Sequence, residues 1–124
     1  KEVTMPSPVT RIGEPAPDVF PWGSIKWLHA GKIDPDTQQT FGFVFINPGE
    51  QNPPHYHPNC EEILYVVSGT CTHTFGDDTY DLGPGDSIRV PQGVVHNAIN
   101  KGWEAVRCII SFSSGDRQTV FLEG

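Results

Sequence analysis

The segment GEQNPPHYHPNCEEILYVVSG, Gly49 to Gly69, carries two histidines and two glutamates within eight residues. His55 and His57 are two positions apart, and in an extended strand alternate side chains fall on one face. Their imidazoles then point into one space, about 6.6 Å apart along the strand by its rise per residue. That suits two ligands closing on one ion through metal–nitrogen bonds of about 2.0–2.1 Å. Glu61 and Glu62 follow the Pro58-Asn59-Cys60 bend, so a carboxylate returns to the same place. Further on, PQGVVHNAIN (Pro91 to Asn100) brings His96 behind a Pro and a Gly. His55, His57, one glutamate and His96 read as a metal site inside a β-barrel.

The spacing of these residues resembles the two motifs of the cupin superfamily. Gly49, His55, His57, Glu62 and Gly69 match G-x5-H-x-H-x4-E-x6-G, and Gly85, Pro91, Gly93, His96 and Asn100 match G-x5-P-x-G-x2-H-x3-N. The fifteen residues between the motifs resemble the short spacer of compact cupins. Glu62 satisfies the motif on both sides, whereas Glu61 fits only a looser x3 form. Glu62 is therefore the expected ligand, and Glu61 faces solvent or orients a ligating histidine. The resemblance implies an all-β cupin-type barrel, or jelly roll, of antiparallel strands. It also implies a place among dioxygenases, decarboxylases, isomerases, lyases and non-enzymatic binding proteins.

The order of the chain agrees with that fold. Thirteen Gly and twelve Pro suit many short strands joined by turns, and no stretch has a convincing helical period. The expected organisation is an extended proline-rich arm over residues 1–21 and a single barrel over residues 22–124. Trp22 to Ala30 reads as a first strand, and His29 as structural or superficial. Thr40 to Asn47 alternates with Phe41, Phe43 and Phe45 on one face and Gly42, Val44 and Ile46 on the other. The aromatic stripe is expected in the core, with Asn47 at the polar edge of the cavity.

If Glu62 faces inward, Leu64 and Val66 do too, while Tyr65 faces away unless a bulge intervenes. Gly76-Asp77-Asp78 marks a hairpin, with His73 in it as a core or surface residue. Gly83 to Asp86 fits a type II turn, and Gly93 lets the chain bend before His96. In Glu104 to Phe112 the positions Val106, Cys108, Ile110 and Phe112 share a face opposite Arg107, Ile109 and Ser111. The last twelve residues supply a turn and a short edge strand.

Composition narrows the partners. Eight basic against fifteen acidic residues give a formal charge of −7, which disfavours nucleic acid and anionic membranes. Three cysteines cannot pair completely and show no C-x-x-C spacing, so a reducing, cytoplasmic setting is expected. No stretch is apolar long enough for a membrane-spanning helix, and no signal peptide is visible. A two-faced apolar strand, Trp22, Trp27 and the arm lead us to expect a homodimer with the arm or first strand at its interface.

Three neutral imidazoles and one carboxylate around a divalent ion leave a net charge of about +1. The donors suit iron, manganese, nickel, copper or zinc, not calcium. Up to two open positions would serve as a Lewis-acid or redox centre. Glu61 and Tyr65 are the sequence's candidates for proton transfer. Arg107 binds a substrate carboxylate if its face lines the cavity, and Arg89 points outward. Gln51, Asn100 and Trp103 are further candidates for the rim. The expected function is a metal-dependent enzyme acting on a small polar, carboxylate-bearing molecule; the alternative is a binding module without turnover.

Overall fold

A computed structural model describes residues 7–122. Its strands are β1 (Asp18–Phe20), β2 (Gly23–His29), β3 (Thr40–Ile46), β4 (His55–Tyr56), β5 (Glu62–Ser68), β6 (Cys71–Phe75), β7 (Asp78–Leu82), β8 (Ser87–Val90), β9 (Ala98–Ile99), β10 (Val106–Phe112) and β11 (Val120–Phe121). No helix occurs among the described residues. All named pairings are antiparallel: a six-stranded sheet in the order β1-β2-β3-β10-β5-β8, a three-stranded sheet β7-β6-β9 and the pair β11-β4. This is the all-β jelly roll expected from the sequence.

The alternation along each strand sorts the core. In β5, Glu62, Leu64 and Val66 are buried while Ile63, Tyr65 and Val67 are exposed. In β10, Val106, Cys108, Ile110 and Phe112 are buried. With Trp22, Ile25, Trp27, Val44 and Ile46 they form one apolar cluster on the inner face of the large sheet. Each aliphatic side chain buried there contributes roughly 1.5–3 kcal/mol relative to exposure.

β3 departs from the expectation. Phe41, Phe43 and Phe45 lie on the outer face, and Thr40, Gly42, Val44 and Ile46 are inside. Both faces of this strand are apolar, so alternation alone could not choose between them. The register decides it: Cys108 pairs with Val44 and Ile110 with Gly42, and the space over Gly42 is taken by Trp27, whose ring would lie 2.8 Å from an added Cβ. Asn47 has the outer parity and is exposed, away from the cavity.

Residues within the expected arm enter the sheet. Asp18–Phe20 pairs with β2, and the Trp27 indole donates to Asp18 at 3.1 Å. Residues 1–6 lie outside the described part. Three tight turns aim the strands, and each has a glycine with positive φ at its third position: Gly49 (+77°), Gly85 (+91°) and Gly93 (+84°). The closing bonds run from Glu50 to Asn47, from Asp86 to Gly83 and from Val94 to Pro91, as a type II turn requires.

Candidate metal centre

Three local devices bring the histidines and the glutamate together. β4 holds His55 opposite His96 in an isolated antiparallel bridge. The turn ending in Gly93 donates its amide to the His57 carbonyl at 3.0 Å, which fixes the approach to His96. Glu62 opens β5 between Phe112 of β10 and Val90 of β8. The ligand atoms of His55, His57, Glu62 and His96 all lie within 4.8 Å of one another, and all four residues are buried.

The outer nitrogens of the rings are occupied. Nδ1 of His55 donates to the Pro53 carbonyl at 2.7 Å, Nδ1 of His57 to Gln118 at 2.9 Å, and Nδ1 of His96 to Val94 at 2.9 Å. A neutral imidazole has one N–H, so each Nε2 is left with a bare lone pair facing inward. Yet Oε1 of Glu62 lies 3.2 Å from Nε2 of His57 and 2.9 Å from Nε2 of His96. Lone pairs do not attract lone pairs; a shared cation, a proton or a metal ion, must sit among them. The donor set and its outer hydrogen bonds fit a transition metal, since carbonyl acceptors behind ligating histidines fix tautomer and orientation.

The electrostatics agree. With protons in place of a metal, burial alone would raise the Glu62 pKa, but the bonds that Nε2 of His57 and His96 then donate, and the charge those rings then carry, outweigh it and hold the carboxyl well below the usual range. Burial, reinforced by His96, pushes His55 down to about 4. For His96, burial lowers the pKa, but the bond to Glu62 and its charge more than offset this. His73 stacks on His96, ring centroids 5.7 Å apart, and is lowered chiefly by burial; it is a core residue whose Nδ1 bonds the Thr74 carbonyl.

A cavity of about 140 Å³ opens beside the cluster, walled by His55, His57, Glu62, Phe112, Arg117 and Phe121 among others. A wider hollow of about 690 Å³ near Gly31 and Gly115 contains no member of the cluster. It is a shallow surface groove, so the small cavity is the one that matters for chemistry.

The two sequence candidates for proton transfer do not line this cavity. Tyr65 is exposed on the outer face of the large sheet, because three residues along a strand from Glu62 reverses the facing. The register shift on β10 falls at Arg107/Cys108, beyond Tyr65, and does not turn it inward. Glu61 pairs with Arg89 at 2.9 Å at the surface. Arg107 is also outside, its guanidinium 4.9 Å from the centroid of Phe45. Asn100 is buried, but it braces a turn, bonding the carbonyls of Ile46 and Glu104. Gln51 is exposed and accepts a bond from Asn97; Trp103 is exposed, as is His29.

The wall that sequence reasoning missed comes from the C-terminal segment. β11 pairs with β4, placing Phe121 opposite His55, their rings 5.8 Å apart. Arg117, Thr119 and Phe121 all line the cavity. Their i, i+2, i+4 spacing is the signal that would have found them.

A buried three-histidine, one-glutamate cluster at the mouth of an antiparallel β-barrel defines a class of metal-binding jelly rolls. The family model described as "Cupin domain" matches residues 42–112, and the chain belongs to that family. Among curated relatives it is 36% identical over 85 residues to germin-like protein 4-1 of Oryza sativa subsp. japonica, covering 60% of this chain and 34% of that one. It is 31% identical over 77 residues to polyketide synthase CurC of Streptomyces cyaneus, covering 62% and 50%. The chain thus spans between about a third and a half of these relatives. Among solved structures, oxalate decarboxylase of Lactobacillus farciminis in a formate complex superposes with a TM-score of 0.82 at 23% identity, over 90% of this chain and 34% of that one. A recombinant oxalate oxidase in complex with glycolate gives 0.73 at 24%, over 80% and 54%. At such identities the likeness establishes the fold.

Proposed function

We propose that this protein is a metal-dependent enzyme that converts a small carboxylate-bearing molecule. The observation that carries this reading is that the inward Nε2 atoms and Glu62 converge beside a cavity of about 140 Å³. Drug-sized ligands occupy clefts of roughly 300–1,000 Å³, so the occupant here has few carbons. The formate and glycolate complexes of the structural neighbours support a small carboxylate.

A bound divalent transition metal would supply Lewis-acid or redox chemistry to a coordinated ligand. The chain's own residues hold that chemistry in place. His55, His57, Glu62 and His96 provide the donors, and the carbonyls of Pro53, Gln118 and Val94 keep the rings aimed. Phe112, Leu64 and Ile110 give the cavity buried apolar walls, which strengthens electrostatic contacts inside it. Glu61 and Tyr65 take no part in this scheme.

The test compares metal-loaded wild type with Glu62→Ala over hydroxy acids, keto acids and diols, with and without dioxygen. Turnover by the wild type and its loss in the variant support the enzyme. Chelating ligands that bind but are never converted favour the non-catalytic binding cupin. Cys60, Cys71 and Cys108 are buried and unpaired, which supports a cytoplasmic setting; fractionation of cells carrying the tagged protein tests that.

A further inference from the structure

Arg117 is a cation without a counterpart. It is the one Lys or Arg among the residues lining the cavity beside the metal cluster. Its Nε is buried and has no hydrogen-bond partner among the described residues. No described carboxylate lies within 4.0 Å of its guanidinium, whereas Arg89 and both inner histidines have theirs. Buried polar groups are almost always satisfied in folded proteins, and a guanidinium does not shed its charge.

The side chain is half-buried and is held in place by two aromatic rings. Its guanidinium carbon lies 4.6 Å from the Trp27 ring centroid and 5.0 Å from that of Phe112. Phe112 in turn sets its ring edge-on against His57, centroids 4.9 Å apart. The planar fork is thereby held against two aromatic rings, one ring away from a histidine of the metal cluster.

Building on the enzyme reading above, we propose that Arg117 anchors the carboxylate of the ligand, making the site selective for small anions over neutral molecules of the same shape. A carboxylate offers two oxygens that match the fork of a guanidinium. The surroundings favour this choice: the walls are mainly apolar, and the carboxylates that act on the guanidinium from further off are already engaged, Glu62 by His57 and His96 and Asp18 by the Trp27 indole. A ligand held at Arg117 by its carboxylate presents its remaining oxygens toward the histidine cluster. Arg117 is then a binding residue and the determinant of charge specificity.

The experiment uses glycolate and its neutral analogue glycolamide, titrated calorimetrically into the metal-loaded full chain. Metal content and melting temperature are measured on every sample. The wild type is expected to bind glycolate at least tenfold more tightly than glycolamide. Arg117→Gln should weaken glycolate by about 10- to 100-fold, the scale of a hydrogen bond to a charged group, and leave glycolamide and metal content unchanged. Arg117→Lys keeps the charge without the fork and should fall between them; it also serves as the comparison if Arg117→Gln does not fold.

Unchanged glycolate affinity in a folded, metal-replete Arg117→Gln protein would overturn the proposal and leave Arg117 a packing clamp for the C-terminal segment. So would equal affinity of the wild type for both probes. A wild type that takes up no metal would sink the metal-centre reading alone. Glycolate binding by that metal-free protein, if abolished in Arg117→Gln, would still support the anchor.

Discussion

The amide of His55 donates to the carbonyl of His96 at 3.0 Å, and the amide of His96 donates to the carbonyl of His55 at 2.8 Å. Two ligands far apart in the sequence are thus a hydrogen-bonded antiparallel pair. Their ring centroids lie 4.3 Å apart. The separation of the rings is therefore set by backbone pairing, which does not depend on a metal being bound. Such preorganisation means the ordering cost is met in folding and not on metal binding.

Replacing His57 with Ala should lower metal affinity more than tenfold, since even changes to the groups behind a ligand cost about 10–100-fold. The fold should survive, because His57 lies outside β4 and β5. Elemental analysis of purified His57→Ala protein checks this. Undiminished metal would place the site elsewhere.

The metal-free protein should lose stability on mild acidification through His55. Its folded pKa, about 4, lies below the ordinary value of 6.5, so the unfolded chain binds more protons between them. The contribution is complete above about pH 6.5 and falls as pH drops toward 4. The shift from 6.5 to about 4 corresponds to about 3 kcal/mol at 1.36 kcal/mol per unit. His96 is raised and works in the opposite sense, so the wild-type loss is smaller than that. Glu62, depressed, starts to lose its contribution as pH falls through its ordinary value of 4.5 and goes on losing it below. Urea unfolding of chelator-treated protein from pH 7.5 to 4.5 should show a flatter slope for His55→Gln. Identical slopes would contradict the role of His55.

Leu64 and Tyr65 are sequence neighbours on opposite faces, and substitutions should separate accordingly. Leu64→Ala, in the core beside the cavity, should cost about 2–5 kcal/mol. Tyr65→Phe and Glu61→Gln should leave metal content and any turnover within about twofold of wild type, as expected of surface changes. Loss of turnover in either, with metal retained, would return them to the mechanism.

We propose that a second copy of the chain covers the outer face of the large sheet. Phe43, Ile109 and Tyr65 form a cross-strand row there, flanked by Phe41, Phe45, Ile63 and Val67. The charged side chains on this face are Lys26, Arg107 and the Arg89–Glu61 pair. Two copies of a chain of charge −7 can therefore meet here without opposing their acidic groups, and a two-fold axis makes the face self-complementary. Light scattering at micromolar concentration should give twice the chain mass. Phe43→Glu should give the monomer, and deleting residues 1–13 should leave the dimer intact. A monomeric wild type would rule out this assembly, and a dimer lost on that deletion would restore the arm as the interface.

Much of the site could be read from the chain because strand parity is a local rule. Once Glu62 faces inward beyond the Pro58-Asn59-Cys60 bend, the two-residue period carries Leu64 and Val66 to the inside and turns Tyr65 out. Turn chemistry is equally local. The positive φ angles of Gly49, Gly85 and Gly93 are what Pro-Gly and Gln-Gly at those places suggest.

By itself, then, the sequence pointed to the all-β class and to His55, His57, one glutamate and His96, since these rest on spacing and alternation, and the resemblance to the cupin motif preferred Glu62 over Glu61. Tertiary structure alone decided which side of β3 is the core, because Phe41, Phe43 and Phe45 face a row just as apolar and only the register with β10 and the bulk of Trp27 separates them. It also decided which arginine reaches the cavity. Arg89, Arg107 and Arg117 are chemically alike, and what singles out Arg117 is that β11 pairs with β4 and draws the C-terminal segment across the cluster. That pairing joins residues more than sixty positions apart, and a distant partner on a sheet edge leaves no mark on the local pattern of either strand.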